Sequence, residues 1–139
     1  MANLFLPENR SELMARISSK NTKPEMKVRK FLHARGYRYR LHVKELPGTP
    51  DIVLPKYRTV IQVRGCFWHK HSCPEGRIPK TRHDYWAAKL SRNVERDHNN
   101  DLAIQRMGWS LIIIWECELK SATKLNDCME HVTKLIPKQ

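Results

Sequence analysis

Two thiols and two imidazoles fall within eight residues of this sequence, and a third thiol lies farther along the chain. The cluster contains Cys66, His69, His71 and Cys73, and Cys117 directly follows a later apolar run. Thiolates and imidazoles are the usual ligands of structural zinc, which takes four of them. The loop has too few apolar residues and too many prolines to order itself by packing, so a metal would supply the missing stability. We therefore predict a zinc-stabilised loop.

The spacing leaves open which histidine binds the zinc. His69 and His71 are two residues apart and would face opposite ways in an extended loop, so one can bind metal while the other is free for chemistry. Cys128 has helical spacing to Leu125 and Val132. We interpret Cys128 as a small buried hydrophobic residue rather than a ligand.

A second group of polar residues has the layout of a nuclease centre. Pro50-Asp51 is followed, after ten residues, by Gln62-Val63-Arg64, which resembles a Pro-Asp…Asp/Glu-x-Lys pattern. In that pattern an Asp at a strand start and a polar pair on the next strand hold Mg²⁺ against a phosphodiester. Here Gln62 is a weak metal ligand, and Arg64 cannot act as a base at neutral pH. Since a Pro-Asp pair before a strand is often only a turn, the pattern alone leaves both interpretations open.

Three further acids lie on predicted helices. Glu25 stands one turn into its helix. Glu95 and Asp97 face different sides of another helix, so at most one of them points inward. For each acid, a solvated helix charge is the alternative to a catalytic role, and the residues by themselves favour the solvated charge.

These residues must be positioned by a mixed sheet between helices. Thr22 and Glu25 predict a helix start with a capping box, and Gly36 predicts a left-handed helix end. Alternating or apolar runs predict four strands and helical spacing predicts four helices: strands 37–43, 51–54, 59–63 and 110–115, and helices 11–18, 22–36, 84–107 and 122–136. The last strand should be buried on both faces. This order predicts an α/β fold, and with no linker or repeat we expect one domain over residues 1–139.

The charge of the chain indicates a polyanionic partner. Its 139 residues carry 26 Lys and Arg against 14 Asp and Glu, a formal net charge of +12. The excess is +7 in residues 1–50, +5 in residues 51–100 and zero in residues 101–139. A basic surface of this density favours phosphate binding, and a cationic surface that serves only solubility is the alternative.

Hydropathy excludes a membrane span. The longest apolar run, residues 111–115, is too short to cross a bilayer, and the run at residues 4–6 is too short for a signal-peptide core. We expect no membrane partner and a cytoplasmic, nucleoid-associated protein, whose cysteines are not disulfide-bonded.

Five motifs taken together resemble one known family. They are Pro47-Gly48-x-Pro50-Asp51, Gly65-Cys66-Phe67-Trp68-His69, Asn93-Val94-Glu95-Arg96-Asp97, Gly108-Trp109 and Ile114-Trp115-Glu116-Cys117. In order and spacing they look like the very-short-patch repair (Vsr) endonucleases. The resemblance implies a restriction-endonuclease-like α/β fold, a mixed sheet flanked by helices with a zinc-stabilised loop. It also implies an enzyme that nicks DNA beside the thymine of a T·G mismatch, the lesion left by deamination of 5-methylcytosine.

The resemblance also implies catalytic roles for individual residues. It makes Asp51 the principal Mg²⁺ ligand, with the backbone carbonyl of Val63 as the metal's other protein contact. Glu25 would support the metal's waters. His69 would be the base for the attacking water, with Asp97 orienting its ring.

The remaining roles implied by the resemblance concern zinc and DNA. Zinc falls to residues 66–73 and 117, with Cys66, His71, Cys73 and Cys117 as ligands. For DNA, the resemblance implies that Phe67, Trp68 and Trp86 wedge into the base stack. Met14 would insert from an N-terminal DNA-contacting helix (residues 1–20). Lys89 and Asn93 would contact the mismatched bases. Wedging costs least where pairing is already faulty, and core packing is the alternative for the three aromatic residues. Arg64 stands where the family often has His, so its role would be electrostatic, on the phosphate.

We therefore expect a monomeric, Mg²⁺-dependent DNA-nicking endonuclease with a structural zinc, acting on T·G-mismatched double-stranded DNA and followed by downstream repair proteins. One alternative is a Pro-Asp-type nuclease of a restriction or mobile-element system without mismatch dependence. The other is a non-catalytic, zinc-stabilised DNA-binding module.

Overall fold

A computed structural model describes residues 21–137 of the chain. The predicted helix at 11–18, Met14 and the proposed DNA-contacting segment 1–20 lie outside these residues. The described helices and strands follow in the order α1 (Lys23–Ala34), β1 (Arg40–Leu41), β2 (Ile52–Leu54), β3 (Thr59–Arg64), α2 (His83–Arg106), β4 (Ser110–Trp115) and α3 (Ala122–Leu135). Short 3₁₀ helices span Pro55–Tyr57, Pro74–Gly76 and Glu116–Leu119.

The first helix begins and ends where the sequence predicts. The Thr22 hydroxyl accepts a hydrogen bond from the Glu25 N–H at 3.3 Å. The Glu25 carboxylate accepts from the Asn21 N–H, also at 3.3 Å, so the reciprocal bond of the capping box comes from one residue earlier than expected. Gly36, just past the helix, has φ +84°, a left-handed conformation in which glycine has no steric penalty.

The four strands form one mixed sheet in the order β1-β2-β3-β4. β1 pairs antiparallel with β2, and β2 pairs antiparallel with β3. β3 and β4 are parallel and pair over six residues, from Thr59↔Ser110 to Arg64↔Trp115. The long helix α2 makes the crossover that a parallel pair requires, which confirms the predicted mixed sheet flanked by helices.

The sheet is buried on one face by α1 and α3 and on the other by α2. The first core cluster includes Ile52 and Ile61 of the sheet together with buried residues of α1 and α3. The second contains the alternate strand residues Val53 and Val60 together with Ile104 of α2. Because side chains alternate across a strand, the two clusters lie on opposite faces. None of the helices in residues 21–137 is long and apolar enough to cross a membrane.

Two expectations about the strands are corrected. Only Arg40 and Leu41 of the predicted strand 37–43 pair with β2, because β2 has three residues and His42 turns to φ +47°. Tyr37 and Tyr39 still pack against the core, as the alternation predicted. In β4, Ile112 and Ile114 are buried while the alternate residues are half-buried, so full burial of both faces is wrong. β4 is the last strand in the sheet order, and α2 gives the second face only a small buried cluster.

Candidate active site

Asp51 directly precedes β2 and lies beside the end of β3, which holds it through two hydrogen bonds. Its backbone N–H donates to the Gln62 side-chain oxygen at 3.2 Å, and its Oδ2 accepts from the Val63 N–H at 3.0 Å. Burial raises the pKa of Asp51 from 3.8 to about 6, even though the Val63 hydrogen bond opposes the shift. A charged carboxylate at this position is therefore destabilised until a cation compensates it.

Glu25 is a buried neighbour of Asp51 and not a solvated helix charge. It is 2% exposed, and its Oε2 lies 3.0 Å from His42 Nε2 and 3.2 Å from an Arg29 nitrogen. Ligand atoms of Glu25, His42 and Asp51 all lie within 4.8 Å of one another. The interpretation of Glu25 as solvated is therefore wrong, because the helix turns this side chain toward the sheet.

The same geometry shows that the sequence interpretation missed His42. It alternates with apolar residues in the run 37–43, so the pattern placed it on a solvent-facing side of a strand. The positive φ at His42 and its contact with a distant helix carry no signal in the spacing. Two carboxylates and an imidazole this close together fit a divalent cation, because carboxylate oxygens are the ligands that such ions prefer.

A histidine–aspartate pair lies beside this cluster. His69 Nδ1 makes a short hydrogen bond to Asp97 Oδ2, which leaves Nε2 of the same ring available to a substrate or water. His69 is close enough to Asp51 for its charge to lower the Asp51 pKa. Of the two acids on this part of α2, Asp97 points inward and Glu95 is exposed, as the helical spacing predicted.

Three α2 side chains four residues apart hold the segment that leads out of β3. Asn93 donates to the Trp68 carbonyl at 3.1 Å, and Asp97 binds the His69 ring. Asp101 accepts from Arg64 at 2.6 Å. Residues four apart share a helix face, and this spacing could have singled out Asp101, which sequence reasoning did not assign.

The structure brings Cys66, His71, Cys73 and Cys117 together. One ligand atom from each lies within 4.8 Å of all the others, and Cys117 Sγ is 3.6 Å from His71 Nδ1. His69 belongs to the pair with Asp97, so the two histidines face different centres. This set of three thiols and one imidazole fits zinc.

The backbone at Gly76 packs directly against the backbone of His71 in the Cys/His loop. A Cβ on Gly76 would lie 1.9 Å from the His71 carbonyl oxygen, so only glycine fits there. Burial raises the pKa of the Cys66 thiol to about 12, and a metal would have to displace that proton on binding. Cys128 lies apart from this group and packs against the first core cluster, as predicted for an apolar residue, but it is half-buried and not fully buried.

Three aromatic residues form a cluster outside both core clusters. Phe67, Trp68 and Trp86 meet edge to face, with ring centroids 5.1 to 6.0 Å apart. All three are half-buried, and Lys89 Nζ lies about 6 Å from the Trp68 and Trp86 rings. Packing in the two core clusters of residues 21–137 therefore does not explain these three aromatic side chains.

Buried carboxylates with a histidine–aspartate pair beside them, on a mixed sheet flanked by helices, are what an α/β nuclease needs to bind a cation and activate water. Comparison with known proteins agrees with this class. The family model described as "DNA mismatch endonuclease Vsr" matches residues 2–75. The chain is 46% identical over 136 residues to the Type II nicking enzyme V.NmeAIP of Neisseria meningitidis, covering 98% of this chain and 95% of that protein.

Two further relatives cover most of the chain. It is 46% identical over 132 residues to the Type II nicking enzyme V.XorIIP of Xanthomonas oryzae pv. oryzae, covering 95% of this chain and 97% of that protein. It is 39% identical over 127 residues to the DNA mismatch endonuclease Vsr of Escherichia coli, covering 91% and 81%. The chain therefore belongs to the Vsr DNA mismatch endonuclease family. It is a DNA-nicking hydrolase with the restriction-endonuclease-like fold of that family.

Proposed function

We propose that this endonuclease requires Mg²⁺ and nicks one strand of double-stranded DNA next to the thymine of a T·G mismatch, in very-short-patch repair. The observation that carries the proposal is the placement of the His69–Asp97 pair beside the half-buried Asp51 and the buried Glu25. The name of the Escherichia coli relative supports the mismatch substrate.

The reaction needs a water that attacks phosphorus in line with the leaving oxygen. His69 Nε2 takes the proton from that water, and Asp97 fixes the ring through Nδ1 so that Nε2 faces the reacting atoms. Mg²⁺ held by Asp51 and the Val63 carbonyl, with Glu25 supporting its waters, would polarise the phosphate. The products are a 5′-phosphate and a 3′-hydroxyl.

Arg64 places a fixed positive charge at the end of β3. Asp101 holds one of its terminal nitrogens, and guanidinium nitrogens not used in that bond are suited to a phosphate oxygen. This arrangement supports an electrostatic role for Arg64 on the DNA phosphate rather than proton transfer.

The aromatic cluster and its neighbours recognise the mismatch in this proposal. Phe67, Trp68 and Trp86 wedge into the base stack, and Lys89 and Asn93 contact the mismatched bases. Asn93 in this structure holds the Trp68 carbonyl, so it also supports the wedge. Met14 inserts from the opposite groove in this proposal; it lies outside the described residues.

The Cys66, His71, Cys73 and Cys117 group holds a structural zinc. The loop that it closes carries His69 and two of the three wedge residues, Phe67 and Trp68, so zinc would fix His69 relative to these two aromatic side chains. The protein acts as a monomer with one endonuclease domain, in the cytoplasm with the nucleoid, and downstream repair proteins use its nick.

One specific observation favours a second candidate. The two relatives that are 46% identical are named Type II nicking enzymes, which supports a nickase of a restriction system that acts without a mismatch. Membership of an endonuclease family argues against a non-catalytic DNA-binding module.

End mapping tests the proposal. A duplex with one T·G pair, labelled on each strand in turn, is incubated with zinc-loaded protein in Mg²⁺ buffer and in buffer without Mg²⁺. We expect one nick, beside the thymine, with ends that DNA ligase can reseal, and none for His69→Ala. Nicking at a fixed sequence whether or not the mismatch is present would establish the second candidate instead.

A further inference from the structure

One backbone and one side-chain hydrogen bond hold His42 against the candidate metal centre. Its backbone N–H donates to the Asp51 carbonyl oxygen at 3.0 Å, which continues the β1–β2 ladder by one residue. Its Nε2 lies 3.0 Å from Glu25 Oε2. Its φ of +47° is left-handed, a conformation that is uncommon for residues other than glycine and that ends the extended backbone of β1 at this residue.

We propose that His42 is a further protein ligand of the divalent-cation site at Asp51, beside Glu25, and that its imidazole makes the site bind a first-row transition ion such as Mn²⁺ more tightly than Mg²⁺. This inference rests on the metal centre in the proposed function. The three groups come from α1, from the residue after β1 and from the residue before β2, and their ligand atoms lie within 4.8 Å of one another.

The chemistry of the donors gives the metal preference. Mg²⁺ takes oxygen ligands and keeps several waters. An imidazole nitrogen suits first-row transition ions such as Fe²⁺, Ni²⁺ and Zn²⁺. Mn²⁺ is the weakest binder of that series and shares the carboxylate preference of Mg²⁺, but it accepts a nitrogen ligand more readily than Mg²⁺ does. Loss of the imidazole should therefore weaken Mn²⁺ binding while sparing Mg²⁺ binding.

A simple partner for Glu25 would not require an imidazole. The exposure of the His42 side chain is 20% and that of Glu25 is 2%, so a glutamine could donate the same hydrogen bond from this half-buried position. His42→Gln therefore separates the two roles, since it keeps a donor for Glu25 and removes the ligand nitrogen. His42→Asn is a second variant, because asparagine tolerates positive φ.

The test is metal binding without DNA, by zinc-loaded protein. Mn²⁺ is titrated while the electron paramagnetic resonance signal of free Mn²⁺ is recorded, and Mg²⁺ affinity is obtained by competition. We expect both His42 variants to lose about tenfold or more in Mn²⁺ affinity and to change by less than about threefold for Mg²⁺. Circular dichroism melts confirm that the variants are folded.

The outcomes distinguish this inference from the metal centre itself. Unchanged Mn²⁺ affinity in His42→Gln, or an equal loss for both ions, would overturn the ligand role of His42. Asp51→Asn should lose both ions; if it binds them as wild type does, the proposed metal centre is refuted whatever the His42 variants show.

Discussion

Replacing Asp51 by Asn should stabilise the metal-free protein while it abolishes nicking. The Asp51 pKa is raised from 3.8 to about 6, chiefly by burial and in part by the nearby Glu25 charge. Asn keeps an oxygen that can accept the Val63 N–H, so the substitution removes the buried charge with little change in shape. A carboxylate whose charged form is unfavourable until a metal ion binds is expected at a cation site.

The magnitude follows from the pKa difference. A shift of about two units corresponds to about 3 kcal/mol at 1.36 kcal/mol per unit. The pKa of Asp51 is higher in the folded chain than in the unfolded chain. The free energy of unfolding of wild type therefore falls by this amount as pH rises from about 4 to about 6, and no part of the contribution remains above about pH 6. For a domain of this size, about 3 kcal/mol moves the melting temperature by about 10 °C.

The assay is a set of thermal melts of zinc-loaded protein in chelator-free buffer without Mg²⁺, from pH 4 to pH 8. Asp51→Asn should match wild type near pH 4 and melt about 10 °C higher above pH 6.5. Asp127 is exposed on α3, and Asp127→Asn serves as the control, with a melting temperature within about 1 °C of wild type at every pH.

Adding Mg²⁺ to the same melts should stabilise wild type and not the variant. At ten times its dissociation constant, a bound ion stabilises wild type by about 1.4 kcal/mol, and Asp51→Asn should gain nothing. An Asp51→Asn variant that melts below wild type at pH 8 without Mg²⁺, or that nicks DNA at the wild-type rate, would refute the reasoning.

Four further substitutions test the remaining parts of the site. Cys73→Ser should lose the bound zinc and His69→Ala should retain one equivalent, measured by plasma mass spectrometry. Asp97→Asn should lower the single-turnover nicking rate by about 100-fold or more, because a neutral amide does not stabilise the protonated His69 ring and supports the wrong tautomer, while gel-shift binding of T·G DNA is unchanged. Asp101→Asn replaces the charged acceptor of Arg64 by a neutral one, so Arg64 is held less firmly, and should raise KM for DNA by about tenfold, with kcat changed by less than about threefold.

Each of these expectations has a contrary outcome. Zinc retained by Cys73→Ser would remove that thiol from the ligand set, and zinc lost from His69→Ala would exchange the roles of the two histidines. Equal loss of rate and binding in Asp97→Asn would indicate misfolding rather than lost orientation. A kcat loss with unchanged KM in Asp101→Asn would place Arg64 in the transition state instead of ground-state DNA binding.

Local chemistry made much of the fold predictable. The Thr22 cap, the left-handed Gly36 and the apolar β4 run each depend on short-range rules, and the structure has all three. The predicted strand at 37–43 was too long because strand length is set by the partner. Only three residues of β2 exist to pair with it, and Pro55 starts a 3₁₀ helix immediately afterwards.

The candidate site was predictable in its residue types more than in its geometry. Residue types marked the Cys/His cluster, but the separation of His69 from His71 depends on how an irregular loop folds, which spacing cannot give. Cys117 joins the loop because β4 runs parallel to β3 and both strands end at the same edge. His42 was missed because its side chain meets Glu25 across seventeen residues of chain, a contact that no periodicity reports.

The ratio of nicking rates on matched and mismatched DNA tests the central claim most directly. Two duplexes that differ only in one base, T·G against C·G, are compared under single-turnover conditions with zinc-loaded protein and Mg²⁺. We predict that the T·G duplex is nicked at least about 100-fold faster, because opening a fully paired step costs a few kcal/mol more. Equal rates on the two duplexes would contradict the account.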